Sequence, residues 1–66
     1  MKKTIKSAKA IFDRLEKVRF GAVSSYELAA IMLTEGFMLE EIGRFVHEMK
    51  MNGHIYEKTY NILCRC

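Results

Sequence analysis

Gly53-His54-Ile55-Tyr56-Glu57-Lys58-Thr59-Tyr60-Asn61-Ile62-Leu63-Cys64-Arg65-Cys66 is the stretch on which the fold turns. Before Gly53 apolar residues recur at helical spacing; after it the pattern changes. His54-Ile55-Tyr56-Glu57 and Ile62-Leu63-Cys64-Arg65-Cys66 are short runs rich in β-branched and aromatic residues. They flank Lys58-Thr59-Tyr60-Asn61, which has the composition of a hairpin loop. The chain contains no proline, so nothing forbids either strand. A two-stranded hairpin is marginal alone and needs helices over one face.

Working back from the hairpin, the sequence supplies those helices. The segment from about Leu39 to Met51 carries Ile42, Phe45, Val46 and Met49 at the i, i+3, i+4 and i+7 positions of an inward stripe. Glu40 and Glu41 in its first turn and Lys50 in its last suit the helix dipole, and Asn52-Gly53 ends it. No Ser, Thr, Asp or Asn stands at the cap position near Met38. A second helix is expected from Ser25 to about Glu35, stopped by Gly36. Leu28, Ala29, Ile31, Met32 and Leu33 occupy most of its circumference, so it is expected to be the most enclosed helix. Ser24 and Glu27 have the spacing of a capping box, Val23 is placed to staple onto Leu28, and Val23 also suits a very short strand.

The first helix is expected from about Ser7 to Arg19. Its stripe is Ala8, Ile11, Phe12, Leu15 and Val18, with Lys9, Arg14 and Lys17 off it and Gly21 as the stop. Residues 1–6, with Lys2, Lys3 and Lys6, read as a basic leader. Three helices, short connections and one hairpin give a mainly α fold with a C-terminal β-hairpin, the winged helix-turn-helix order, in a single domain over residues 1–66.

Composition bounds the function. A chain of 66 residues holds one domain with a thin stability margin, and 50% apolar with 29% charged residues suits a folded one. No apolar run approaches the ~20 residues of a membrane span, and no signal-peptide pattern follows Met1-Lys2-Lys3-Thr4. A cytoplasmic protein is expected. Cys64 and Cys66 read as reduced thiols, with an intermolecular disulfide or a metal site with His47 and His54 as the alternatives. No cofactor is implied. There is no Gly-rich phosphate loop and no nucleophile–base set, and Glu40 and Glu41 point in different directions on a helix, so no enzyme is expected.

From Val23 onward the chain resembles the C-terminal winged-helix domain of archaeal minichromosome maintenance replicative helicases. The resemblance is carried by Val23-Ser24-Ser25-Tyr26-Glu27-Leu28, by Glu40-Glu41-Ile42 and by Met49-Lys50-Met51-Asn52-Gly53-His54-Ile55-Tyr56-Glu57. It implies a winged helix and a role in DNA replication, or in a small regulator of an archaeon or archaeal virus. The family's usual Pro-x-Pro-Gly turn is replaced here by Lys58-Thr59-Tyr60-Asn61, and its paired arginines by Cys64-Arg65.

The net charge of +3 is compatible with a polyanionic partner. The reading that follows is double-stranded DNA binding, in transcription regulation or replication, with the third helix in the major groove. Arg44, His47, Glu48 and Met51 would approach base edges. Lys50, Lys58 and Arg65, with Lys2, Lys3 and Lys6, would meet phosphates, and Tyr60 and Asn61 a groove or sugar. The alternative is a module that binds a protein partner, or a second copy of itself, through Phe37, Met38, Met51 and Tyr56.

Overall fold

Thr4 opens the first helix by turning its hydroxyl back onto the backbone N–H of Ser7, 3.3 Å away. The computed structural model describes residues 3–66. Helix α1 (Ile5–Val18) buries Ala8, Ile11, Phe12 and Leu15 on one face. It therefore begins earlier than the lysine-rich start suggested. Ile5 packs against the core, and Lys6 belongs to the helix rather than to a leader. Val18, expected on the inward stripe, is exposed, because the helix ends beside it and the chain turns away.

Strand β1 (Val23–Ser24) follows, then α2 (Ser25–Thr34) and α3 (Leu39–Met51), and then β2 (Ile55–Thr59) and β3 (Ile62–Arg65). The three strands form one antiparallel sheet in the order β1-β3-β2. Val23 faces Leu63 and Ser24 faces Ile62, so the two-residue strand before α2 ties the hairpin to the helices. This is the winged-helix layout. The expected third helix has the observed bounds, and each hairpin strand lies within a residue or two of its expected limits.

Val23, Leu28, Met32, Ile55 and Leu63 are almost wholly removed from solvent, and with Phe12 and Met49 they join every element into one core. Side chains alternate along a strand, so Leu63 and Ile55 point inward while Cys64 and its cross-strand neighbour Tyr56 point outward. The enclosure expected of α2 is corrected: only Leu28 and Met32 are buried, against four residues on α1. An apolar residue on every side of a helix does not bring a neighbour to every side. Leu33 stays exposed and Ala29 and Ile31 are half-covered.

Each of the three helices closes with a backbone bond to a carbonyl five residues back. At α2 the N–H of Phe37 donates to the carbonyl of Met32 and that of Gly36 to Leu33; at α3 the N–H of His54 donates to Met49 and that of Gly53 to Lys50. These are Schellman closures, with the left-handed position filled by Gly36 and Gly53 at φ +98° and +74°. At α1 the corresponding long bond, Gly21 to Glu16, puts the left-handed position one residue earlier, on Phe20 at φ +55°. The glycine expected to stop α1 is present, but displaced by one residue from where a helix end needs it.

Candidate nucleic-acid interface

The exposed side of α3 is a stripe. Glu40, Arg44, His47 and Met51 recur at i, i+4, i+7 and i+11, opposite buried Ile42, Phe45 and Met49, and all four are exposed. Arg44 lies over the edge of this stripe with its guanidinium 4.9 Å from the Phe45 ring centroid. Glu48 sits half-buried beside it. Glu41 is committed to the helix start, where its carboxylate accepts from the backbone N–H of Met38 at 2.9 Å. That bond replaces the side-chain cap the sequence lacks. The stripe itself carries one formal anion, one formal cation and His47.

The wing is short and anchored. Thr59 faces Ile62 while Glu57 faces Leu63, leaving Lys58 as the extra residue of a β-bulge and Tyr60-Asn61 as the turn. Lys58 and Tyr60 are exposed, Tyr60 at 84%. Asn61 is not free in the same sense. It takes φ +60°, its N–H donates to Glu57 at 2.9 Å, and its carbonyl accepts from the N–H of Ser25 at 2.9 Å. Its side-chain oxygen accepts from the Ser25 hydroxyl at 3.0 Å, and its amide donates to the Tyr26 hydroxyl at 2.8 Å. The residue expected to reach a groove or sugar instead pins the wing tip to the first turn of α2. An Asn in a two-residue turn was the available signal, since Asn tolerates left-handed φ and bonds locally.

The remaining expected phosphate contacts divide into tied and free cations. Lys50 pairs with Glu57 at 3.2 Å, and the same carboxylate accepts from Asn61. These bonds, the one from the Asn61 N–H first and then Lys50, hold the Glu57 carboxyl below its ordinary pKa. Arg65 shares the inward parity of Leu63 and leans to α1, 3.8 Å from Asp13. Asp13 also accepts from the His54 ring at 3.0 Å, and His54 meets Phe12 edge-on. Lys3 packs its ammonium 5.4 Å from the Phe37 ring centroid. Lys2 lies outside the described residues. Lys6, Lys9 and Lys17 on α1, with Arg44 and Lys58, have no ion-pair partner among the described residues. The free positive charge thus lies on α1 as much as on α3 and the wing.

Two further expectations change. Phe37 is buried against Phe45, edge to face at 5.8 Å, and drops out of the proposed protein-contact surface; Met38, Met51 and Tyr56 remain exposed. Ser24 caps α2 by accepting from the N–H of Glu27 at 3.5 Å. The reciprocal half of the box is absent: Glu27 turns to Arg19, whose Nε donates to it at 3.0 Å. That contact lowers the Glu27 carboxyl and raises the Arg19 guanidinium from their ordinary values. Cys64 and Cys66 are free thiols, and no group of three metal-ligating side chains converges among the described residues. No described helix is long and apolar enough to cross a membrane. Compared with family models, with curated proteins and with solved structures, the chain finds no match.

Proposed function

We propose that this chain is a DNA-binding winged-helix module that lays α3 in the major groove and sets its wing on the adjacent backbone. The observation that carries the reading is the pairing of one open helix face with a rigid wing. The Glu40–Arg44–His47–Met51 stripe is left in solvent by all other elements, while Asn61 fixes Lys58 and Tyr60 beside the first turn of α2. A helix face plus a backbone-touching projection is the docking geometry of helix-turn-helix readers. On it Arg44 donates to guanine acceptors, His47 reads an edge, and Glu40 accepts from cytosine N4. Lys58 meets phosphate. The resemblance to helicase tails supports a role inside the cell in replication or transcription control.

Fluorescence anisotropy with a labelled duplex at two salt concentrations tests this. With few free cations at the interface, the affinity falls with salt at a slope of about two to four phosphate contacts. Arg44→Ala loses about 1–3 kcal/mol on a preferred site, and Lys58→Ala weakens all duplexes alike. No binding at about 50 mM salt removes the reading.

A second reading is favoured by the balance of charge on α3, where Glu40, Glu41 and Glu48 stand against Arg44 and Lys50. Leu39 and Met51 on that helix, and Met38 at its N-cap, are also exposed. In this alternative the helix meets a protein partner or a second copy. Sedimentation with and without reductant separates a dimer, and one bridged through Cys66, from a monomer.

A further inference from the structure

With the strand order β1-β3-β2, β2 is an edge strand, and the bonds on either side of β3 fix which of its backbone groups stay open. In an antiparallel ladder hydrogen-bonded pairs alternate with unbonded ones. The N–H of Cys66 donates to the carbonyl of His54 at 3.0 Å, one step beyond the facing pair Ile55 and Arg65. Tyr56–Cys64 is therefore a bonded pair, while Ile55–Arg65 and Glu57–Leu63 are unbonded. The other side of β3 agrees. The N–H of Ser25 donates to the carbonyl of Asn61 at 2.9 Å, one step beyond Ser24 and Ile62, so Asn61 and Leu63 turn their backbone groups toward β1. The N–H and C=O of both Ile55 and Glu57 thus point away from β3, and among the described residues no other backbone group bonds them.

This open edge is bounded at both ends. The N–H of His54 is taken by Met49, and the bulge at Lys58 breaks the ladder after Glu57. Open donor–acceptor sets two residues apart are what an added antiparallel strand requires. The side chains of the edge select a second copy of the same strand. With a two-fold axis at Tyr56, Ile55 of one chain exchanges backbone bonds with Glu57 of the other, and the reverse. An axis at Glu57 would set like charges directly opposite each other. An axis at Ile55 would carry Glu57 past the strand to Gly53, whose N–H already bonds Lys50. In the Tyr56 register each Glu57 lies opposite an isoleucine and keeps its own Lys50 as counter-charge. The two Tyr56 residues form the unbonded pair at the axis, the position of closest side-chain approach, which suits an aromatic pair. In the single chain Tyr56 is 47% exposed on the outward face. The opposite edge of the sheet, β1, has only Val23 and Ser24, so association closes at a dimer.

We propose that the β2 edge pairs with the β2 edge of a second copy about a two-fold axis at Tyr56, joining the two sheets into one. The pairing uses no residue of the α3 stripe, so it stands or falls apart from either reading of α3. A surface this small gives a weak dimer, with Kd of about 0.1–1 mM. The test is sedimentation in reductant from about 10 μM to about 1 mM, with amide hydrogen exchange at both limits, on the wild-type chain and Tyr56→Lys. The wild-type chain is expected to pass from monomer toward dimer across that range. The N–H groups of Ile55 and Glu57 then exchange about two- to fivefold more slowly at the upper limit. The Tyr56 N–H, bonded to Cys64 in either state, keeps its rate. Tyr56→Lys sets two ammonium groups at the axis and weakens the dimer about tenfold or more, with the monomer's melting temperature little changed. Should that variant not fold, the wild-type exchange rates decide alone. Three results overturn the pairing: a monomer throughout, a dimer that Tyr56→Lys leaves intact, or a dimer in which Ile55 and Glu57 exchange at unchanged rates, as one formed through α3 would show.

Discussion

Asn61 and Glu57 together convert a two-residue turn into a fixed projection. The Asn61 side chain bonds Ser25 and Tyr26, and its N–H is held by Glu57. Asn61→Ala removes two side-chain bonds and leaves a β-carbon in a left-handed backbone, so a loss of about 1–3 kcal/mol is expected in urea unfolding. Asn61→Gly, which keeps the backbone at ease, loses less. Glu57 and Glu27 both have folded-state pKa values below their unfolded ones. Their contribution is complete above the unfolded pKa and is lost as pH falls through the folded one. Stability followed by thermal melts should therefore drop between about pH 5 and pH 3, and Glu57→Gln should flatten part of that drop. At this scale the sequence was only partly legible. Within Gly53-His54-Ile55-Tyr56-Glu57, four residues have structural tasks: Gly53 stops a helix, His54 meets Phe12, Ile55 fills the core and Glu57 locks the turn. The pairing of Asp13 with His54 and Arg65 joins positions far apart in the chain, and no spacing signals it.

Apolar periodicity specifies the three helices unequally. A one-sided apolar stripe locates α3 to the residue, because burial and periodicity agree there. α2 lacks such a stripe, so its exposed and covered sides could not be told apart in advance. α1 ends at Val18, one residue before the end that Gly21 suggests, because Phe20 occupies the left-handed site that favours glycine. Ser24 accepts the only side-chain cap of α2, so Ser24→Ala should cost about 1 kcal/mol of global stability. Gly43 lies inside α3 with open space where a β-carbon would stand. Gly43→Ala should therefore gain about 0.5–1 kcal/mol in the same unfolding assay. Its added methyl stands on the exposed side of the helix, next to Glu40 and His47.

For the molecule as a whole, one core spans every element, with Val23 and Leu63 binding the hairpin to the helices. A domain of this length has a total stability of about 3–10 kcal/mol. Leu63→Ala, which should cost about 2–5 kcal/mol, would then remove much of it. The helices should melt together with the hairpin, with coincident circular dichroism and near-ultraviolet transitions. The winged-helix order was legible because hairpin and helices each need the other's apolar face. The distribution of charge was not, since it depends on which cations the fold pairs. Lys50 and Arg65 are drawn to Glu57 and Asp13, leaving Arg44 and Lys58 on the docking side and Lys6, Lys9 and Lys17 on α1. DNA is expected to meet the first of these surfaces. An amide chemical-shift titration of the isotopically labelled chain with a short duplex reads that directly. It predicts the largest changes at Glu40, Arg44, His47, Lys58 and Tyr60; changes confined to α1, or none at all, would contradict it.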